Sequence, residues 1–340
     1  MAGWAPPSGG PAAPSPEPGP IVGWAAPSGD EGLGVGASIR AGWALTRAHL
    51  VAFAAVTTVP MLIWTVVLVP LWVRTAEMFD RWIQFMTHID WARYRTDPDA
   101  FQRDMSVAFA PSTDYAVLSA VFGGVGIVVA IVGAAAVTSA TLAAADGRRV
   151  SVGESFAAVA AHAGAIVLPA AVLGIAVAAV ALPLGLNQTS FVSSGASRGG
   201  SALSVLISLV SLVVWIAVVV LGLRWSLVFQ AILAEDLGLR AGLARSAALT
   251  QGIRLRILLT LIAVGLLVGF LISIPVFIVA LFVGVATASI GPAVGTYAVL
   301  ATLASLFTIP LFVAILTVIY GRRVEASPAA AAVSGSATIG

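Results

Sequence analysis

Six apolar stretches, near residues 49–73, 114–142, 164–186, 203–223, 257–285 and 294–320, each have the length a helix needs to cross a bilayer. A hydrocarbon core about 30 Å thick takes about 20 apolar residues in a helix. Leu203 to Leu223 covers that distance without one ionisable side chain. In lipid every backbone N–H and C=O must find a partner within the protein, so such stretches become helices rather than open strands. The sequence therefore predicts an all-α membrane protein with six transmembrane helices. A hydrophobic fraction of 59% with only 9% charged residues excludes an ordinary soluble domain, in which charged residues approach about a quarter.

Charge placement predicts the orientation. With the N-terminus inside, Arg40, Arg47, Arg148, Arg149, Arg224, Arg240, Arg245, Arg254, Arg256, Arg322 and Arg323 are cytoplasmic, eleven of the 17 basic residues. The other six (Arg74, Arg81, Arg93, Arg95, Arg103 and Arg198) fall outside. The positive-inside rule then places both termini in the cytoplasm of a plasma-membrane protein. All basic residues are Arg, and with abundant Ala, Val and Gly this is the compositional mark of a GC-rich bacterial genome. The positive charge is spread among loops without interleaved aromatics, which points to anionic lipid head groups rather than nucleic acid. With no Cys, disulfides, thiolate metal sites and Cys nucleophiles are excluded.

Residues 1–34 form a Pro/Gly/Ala-rich cytoplasmic tail with an imperfect repeat, Gly3-Trp-Ala-Pro-Pro-Ser-Gly9 and Gly23-Trp-Ala-Ala-Pro-Ser-Gly29. It has no signal-peptide pattern and buries too little apolar area to order itself, so disorder is expected. The six-helix membrane domain follows over 35–325, and 326–340 reads as a flexible C-terminal tail.

An internal repeat is visible. Gly147-Arg-Arg-Val150 follows the second span and Gly321-Arg-Arg-Val324 the sixth. The entries to the odd spans also align: Gly36-Ala-Ser-Ile-Arg-Ala-Gly-Trp43, Gly153-Glu-Ser-Phe-Ala-Ala-Val-Ala160 and Arg240-Ala-Gly-Leu-Ala-Arg-Ser-Ala247. Each carries a bulky apolar residue (Ile39, Phe156, Leu243) ahead of small residues. Ser151-x-x-Glu154 adds a capping-box pattern. The expectation is three parallel units, each a short interfacial helix followed by a helix pair, unlike the inverted repeats of many transporters.

Small residues allow helices to approach closely in lipid, and Gly265-x-x-x-Gly269 and Gly126, Ala130 and Ala134 offer such faces. Pro60, Pro70, Pro169, Pro183, Pro275 and Pro310 predict kinks within spans. The span centres hold no ionisable residue, which disfavours proton-coupled pumps and charged-ring channels but not passage or binding of a lipid-like molecule.

The outer loop, 74–113, carries Phe79, Trp82, Met86 and Ile89 at helical steps, and Asp97-Pro98 reads as a helix start ahead of Phe101, Met105 and Phe109. Two amphipathic helices, lying on the outer leaflet or capping the bundle, fit this pattern. Glu77, Asp80, Gln84 and His88 could share one face, but one His with mismatched carboxylates is a poor metal set, and no metal or cofactor is expected.

The densest pattern lies in 224–252. Arg224 and Trp225 mark the head-group level at the end of span four, and Glu235-Asp236 is expected to cap an amphipathic helix carrying Arg240, Arg245 and Ser246. These six residues (Arg224, Trp225, Glu235, Asp236, Arg245 and Ser246) are the candidate head-group or partner contacts; a purely structural re-entry helix is the alternative. The segment resembles the membrane domain found in some bacterial glycerophosphodiester phosphodiesterases and in related six-helix membrane proteins. An Arg near the end of span four, an acidic residue and an Ala-Leu-x-x-Ser-like helix ending in Gly are matched by Arg224, Glu235, Leu243, Arg245, Ser246 and Gly252. Tyr320-Gly-Arg-Arg-Val324 is similar to that family's closing segment. The resemblance implies the six-helix architecture. Such enzymes act through a separate soluble barrel of about 250 residues, which no segment here supplies.

No zinc-protease, nucleophile-elbow or P-loop motif is present. The expected function is therefore non-catalytic: a scaffold or regulatory module in envelope or lipid metabolism, with membrane lipids and a membrane or envelope protein as partners. The alternative is a transporter or flippase-like handler of a lipid or hydrophobic solute.

Overall fold

The computed structural model describes residues 34–109, 113–193, 209, 216, 219–287 and 289–326. The tails 1–33 and 327–340 and most of the stretch 203–223 lie outside the described residues. Among those described, about 90% are helical and none is in a strand. Four helical segments are long and apolar enough to cross a membrane: Leu50–Thr87, Asp114–Ala145, Arg254–Thr287 and Ile290–Glu325. A fifth span arises if Val152–Ala161 and Ala163–Ala179, which meet at 81°, are counted together.

The elements run α1 (Val35–Ala48), α2 (Leu50–Thr87), α3 (Trp91–Thr96), α4 (Pro98–Phe109), α5 (Thr113–Ala145), α6 (Val152–Ala161) and α7 (Ala163–Ser193). They continue with α8 (Val228–Glu235), α9 (Leu239–Leu249), α10 (Arg254–Val268), a π-turn over Gly269–Ser273, α11 (Ile274–Thr287) and α12 (Ile290–Glu325). The short helices α1, α6, α8 and α9 gather with the end of α12 at one end of the bundle, hereafter the junction face. The hairpin α3–α4 lies at the other end, the loop face.

The three helices expected ahead of the odd spans are present. Ser38, Ser155 and Gly242 occupy matching positions in α1, α6 and α9 and are all buried, as are Gly42, Val159 and Ser246 four residues on. Residues one turn apart share a helix face, so a small-residue seam is pressed inward in each. Ser151 caps α6 by accepting from the Glu154 amide at 3.5 Å, as its pattern predicts.

The two Gly-Arg-Arg-Val runs end differently. Gly147 takes a left-handed φ of 70° and stops α5, with the Arg148 amide returning to Ala143 O at 2.8 Å. Gly321 is buried inside α12, which continues to Glu325.

Among the described glycines, the closest approach to another helix's backbone is at the crossing of α5 and α7. A Cβ at Gly124 would stand 2.6 Å from Gly174 O, and one at Gly174 would stand 2.5 Å from Gly124 O. Gly126 admits the Trp64 ring, as its small-residue face suggests. The Gly265-x-x-x-Gly269 face behaves otherwise: neither glycine has a described neighbour within 4 Å of an added Cβ. In the same span Pro275 removes an amide from the helical ladder, and the kink is a π-turn in which the Ile274 amide reaches back to Gly269 O.

The helix of the first span does not stop where the apolar stretch does, at residue 73. No Gly or Pro interrupts 74–87, and α2 runs on to Thr87 beyond the apolar stretch. The hairpin then folds back on it around Phe101, whose ring meets Phe85 at 5.8 Å, Tyr94 at 5.1 Å and Trp91 at 6.4 Å. Asp97 starts α4 as predicted, accepting the Ala100 amide at 3.1 Å and pairing with Arg103 at 2.7 Å. The Arg103 bond holds the Asp97 carboxyl below its ordinary range. A lowered folded pKa means the tie is fully present above the unfolded value, about 3.9, and is lost as pH falls through the folded one. Asp97→Ala is therefore expected to speed proteolytic cleavage near 95–100 at neutral pH, and to leave the rate unchanged once the pH is low enough to protonate Asp97.

Candidate functional site

At the junction face, α8 ends at Glu235 and the chain reverses through Asp236, the one described non-glycine residue with left-handed φ, at 51°. Asp tolerates that conformation. The reversal sends α9 back beside α8, where Gly242 lets the two helices close over the Ile232 side chain, 2.5 Å from an added Cβ. It also brings Arg245 to Glu235. Arg245 Nε lies 2.9 Å from both Glu235 carboxylate oxygens, and Tyr320 of α12 donates to Oε1 at 2.7 Å. Both charged side chains are about a third exposed. One carboxylate thus ties α8, α9 and α12 together.

Ser246 holds the second knot. Its hydroxyl donates to Arg224 O and accepts the Leu227 amide, each at 3.2 Å, while Thr250 also donates to Arg224 O at 3.2 Å. Ser246 and Thr250 are fully buried. The contribution of Arg224 to this knot is its carbonyl, with its side chain exposed; Trp225 is half-buried in the turn that follows. Arg323 closes the far side, donating to Leu249 O at 2.9 Å and Gln251 O at 2.7 Å. Ser246→Ala would leave the buried Leu227 amide without its acceptor, a loss of about 1–3 kcal/mol. Thermal melting in detergent should show it, and Ser246→Thr should restore much of it.

Glu235 and Asp236 do not cap α9. The residue preceding α9 is Gly238, without a side-chain cap. Glu235 belongs to the end of α8, and Asp236 turns instead to His162 at the α6–α7 bend, Oδ1 to Nε2 2.9 Å. Leu237 and Gly238, the two residues between the acids and α9, belong to the reversal, so the acidic side chains face other helices. Of the six candidate residues, Glu235 and Arg245 form one knot and Ser246 with the Arg224 carbonyl a second; Trp225 and Asp236 border them. Their partners Tyr320, Thr250 and His162, and Arg323, which bonds the neighbouring Leu249 and Gln251 carbonyls, were not among the candidates. Tyr320 and Arg323 had a signal in Tyr320-Gly-Arg-Arg-Val324, whereas a lone His and a Thr carry none.

A different kind of site lies deeper. Between α2, α5 and α12 is a cleft of about 310 Å³, bordered by Trp64, Trp72, Val129, Ala301, Thr302 and Ser305. It sits on the loop-face side of Pro310, beyond which α12 becomes closely packed towards Gly321. Glu77 and His88, considered above for a metal, are otherwise engaged: Glu77 pairs with Arg74 at 2.8 Å and His88 Nδ1 meets its own helix at Gln84 O, 2.9 Å.

Comparison with family models, curated proteins and solved structures found no match to this chain.

Proposed function

We propose that the chain is a non-catalytic plasma-membrane protein of six spans, with both termini cytoplasmic. It is built as three repeats of an interfacial helix and a helix pair, and acts as a scaffold or regulatory module in envelope or lipid metabolism. The observation that carries this reading is the use of the candidate polar groups. Glu235, Arg245 and Ser246 spend their bonds joining helices of the same chain, as structural groups do and as groups awaiting a substrate do not. The shared burial phase of α1, α6 and α9 supports the repeat, and the network around Glu235 supports kinship with the phosphodiesterase membrane domain. A second reading, a handler of a lipid or hydrophobic solute, is favoured by the cleft beside α2.

Topology is tested directly because the chain has no Cys. Single substitutions His88→Cys and Asn187→Cys should react with an impermeant maleimide from outside, and Gln251→Cys and Ala326→Cys only after permeabilisation. Residues 187 and 251 labelling from one side would remove the span at 203–223. The scaffold reading is tested by mild extraction and native mass spectrometry: a protein partner at fixed stoichiometry is expected, and repeated recovery of the chain alone, with retained activity on a lipid substrate, would overturn it.

A further inference from the structure

We propose that the cleft between α2, α5 and α12 seats one acyl chain of a zwitterionic phospholipid drawn from the leaflet at the loop face. The inference rests on the second reading above and gives it a site.

The polar groups in the cleft are turned inward on the protein. Thr65 donates to Met61 O, Thr302 to Ala298 O and Ser305 to Ala301 O, each at 2.8 Å, and the two Thr hydroxyls meet at 3.0 Å. Their hydrogens are committed, so the three hydroxyls offer no donor to an anion or a polar solute, and apart from two indole rings the rest of the lining is aliphatic. A water needs two to four polar partners, and apolar cavities of about 150 Å³ stay dry and take up hydrocarbon. At about 310 Å³ this space is larger, and it opens among helices whose outer surfaces are Leu, Val and Phe. Among the described residues no side chain fills it, and the filler a bilayer supplies is a lipid chain.

Depth sets which leaflet supplies it. Met61 and Trp72, at the two ends of the α2 lining, lie roughly 16 and 33 Å along the helix from Leu50 at 1.5 Å per residue. That is the half of the membrane away from the junction face. At the upper end the Trp72 and Tyr297 rings meet edge-on at 6.3 Å, the side chains that favour the head-group boundary. Just beyond them along α2 a second cleft, about 410 Å³, is lined by Arg74, Glu77, Asp80, Arg81 and Asp114 among others. Arg74 pairs there with Glu77 at 2.8 Å and lies 4.0 Å from Asp114, so the three carboxylates outnumber the guanidiniums they neutralise, which opposes a head group that is only anionic and suits one that also carries an ammonium.

The test uses the full chain, exchanged into lipid-free detergent with equal amounts of phosphatidylethanolamine and phosphatidylglycerol and read by native mass spectrometry. One retained phosphatidylethanolamine is expected. Ala301→Phe, which fills the cleft, should lower its retention at least about tenfold. Leu271→Phe, adding bulk at a side chain 64% exposed to lipid, should not. Ala298→Leu is the gentler filling, to be used where Ala301→Phe loses helical circular dichroism. Retention undiminished in the folded filled variants, preference for phosphatidylglycerol, or no retention by the parent overturns the site. Retention lost on filling while lipid flux in vesicles is absent in parent and variant alike upholds the site and overturns the lipid-handling reading.

Discussion

Gly174→Val lowers the stability of the folded bundle by about 3 kcal/mol, the upper part of the range for overpacking a tight core. The reason is geometric. A Cβ at 174 would stand 2.5 Å from the backbone oxygen of Gly124, and a backbone atom cannot swing aside as a side-chain terminus can. The contact is reciprocal, so Gly124→Val should fail in the same way, and the double variant should cost less than the sum because one separation of α5 and α7 accommodates both. Gly123→Val is the control: an added Cβ there meets nothing within 4 Å, and only a small propensity change is expected. Reversible unfolding in mixed micelles gives the comparison, and equal stability of Gly174→Val and Gly123→Val would refute the close crossing.

Glu235→Ala should cost about 2 kcal/mol. Removing one member of a buried ion pair costs about 3–5 kcal/mol, and that range is reduced here because the pair is about a third exposed and partly screened by solvent. The loss is not of the Arg245 attraction alone, since the Tyr320 hydroxyl also loses its acceptor. Tyr320→Phe should cost about 1 kcal/mol, and the Glu235→Ala, Tyr320→Phe double variant should be no worse than Glu235→Ala. Strict additivity of the two would mean that the hydroxyl and the carboxylate do not act through each other.

Four of the spans, a fifth as a bent pair, and the short helices were legible because each rests on a local pattern: length and apolarity in one case, a small-residue seam behind a bulky residue in the other. What escaped the sequence depends on partners distant along the chain. Gly265 and Gly269 have the spacing of a packing motif, yet the closest crossing falls to Gly124 and Gly174, which no motif joins. That the first span and the helical stripe at Phe79–Met86 form one unbroken α2 was not legible, because polarity marks the edge of the membrane, and only a breaker or a fold-back marks the end of a helix. At the candidate site the local role expected of Glu235 and Asp236 was wrong. Reading Glu235 and Asp236 as caps assumed a helix beginning directly after them, and the left-handed turn at Asp236 directs both carboxylates to other helices.

The Glu235–Tyr320 bond joins residues 85 positions apart, and Arg323 reaches back 74 positions to Leu249. A ribosome makes these positions in order, so the 224–252 segment leaves the ribosome well before its last two fasteners are synthesised. Until the final helix arrives, the carboxylate of Glu235 lacks its phenol and the carbonyls of Leu249 and Gln251 lack their guanidinium. Insertion of α12 is then the step that turns a set of loosely tethered helices into one body. Quality-control proteases should discriminate sharply between nascent chains stopped before and after residue 323.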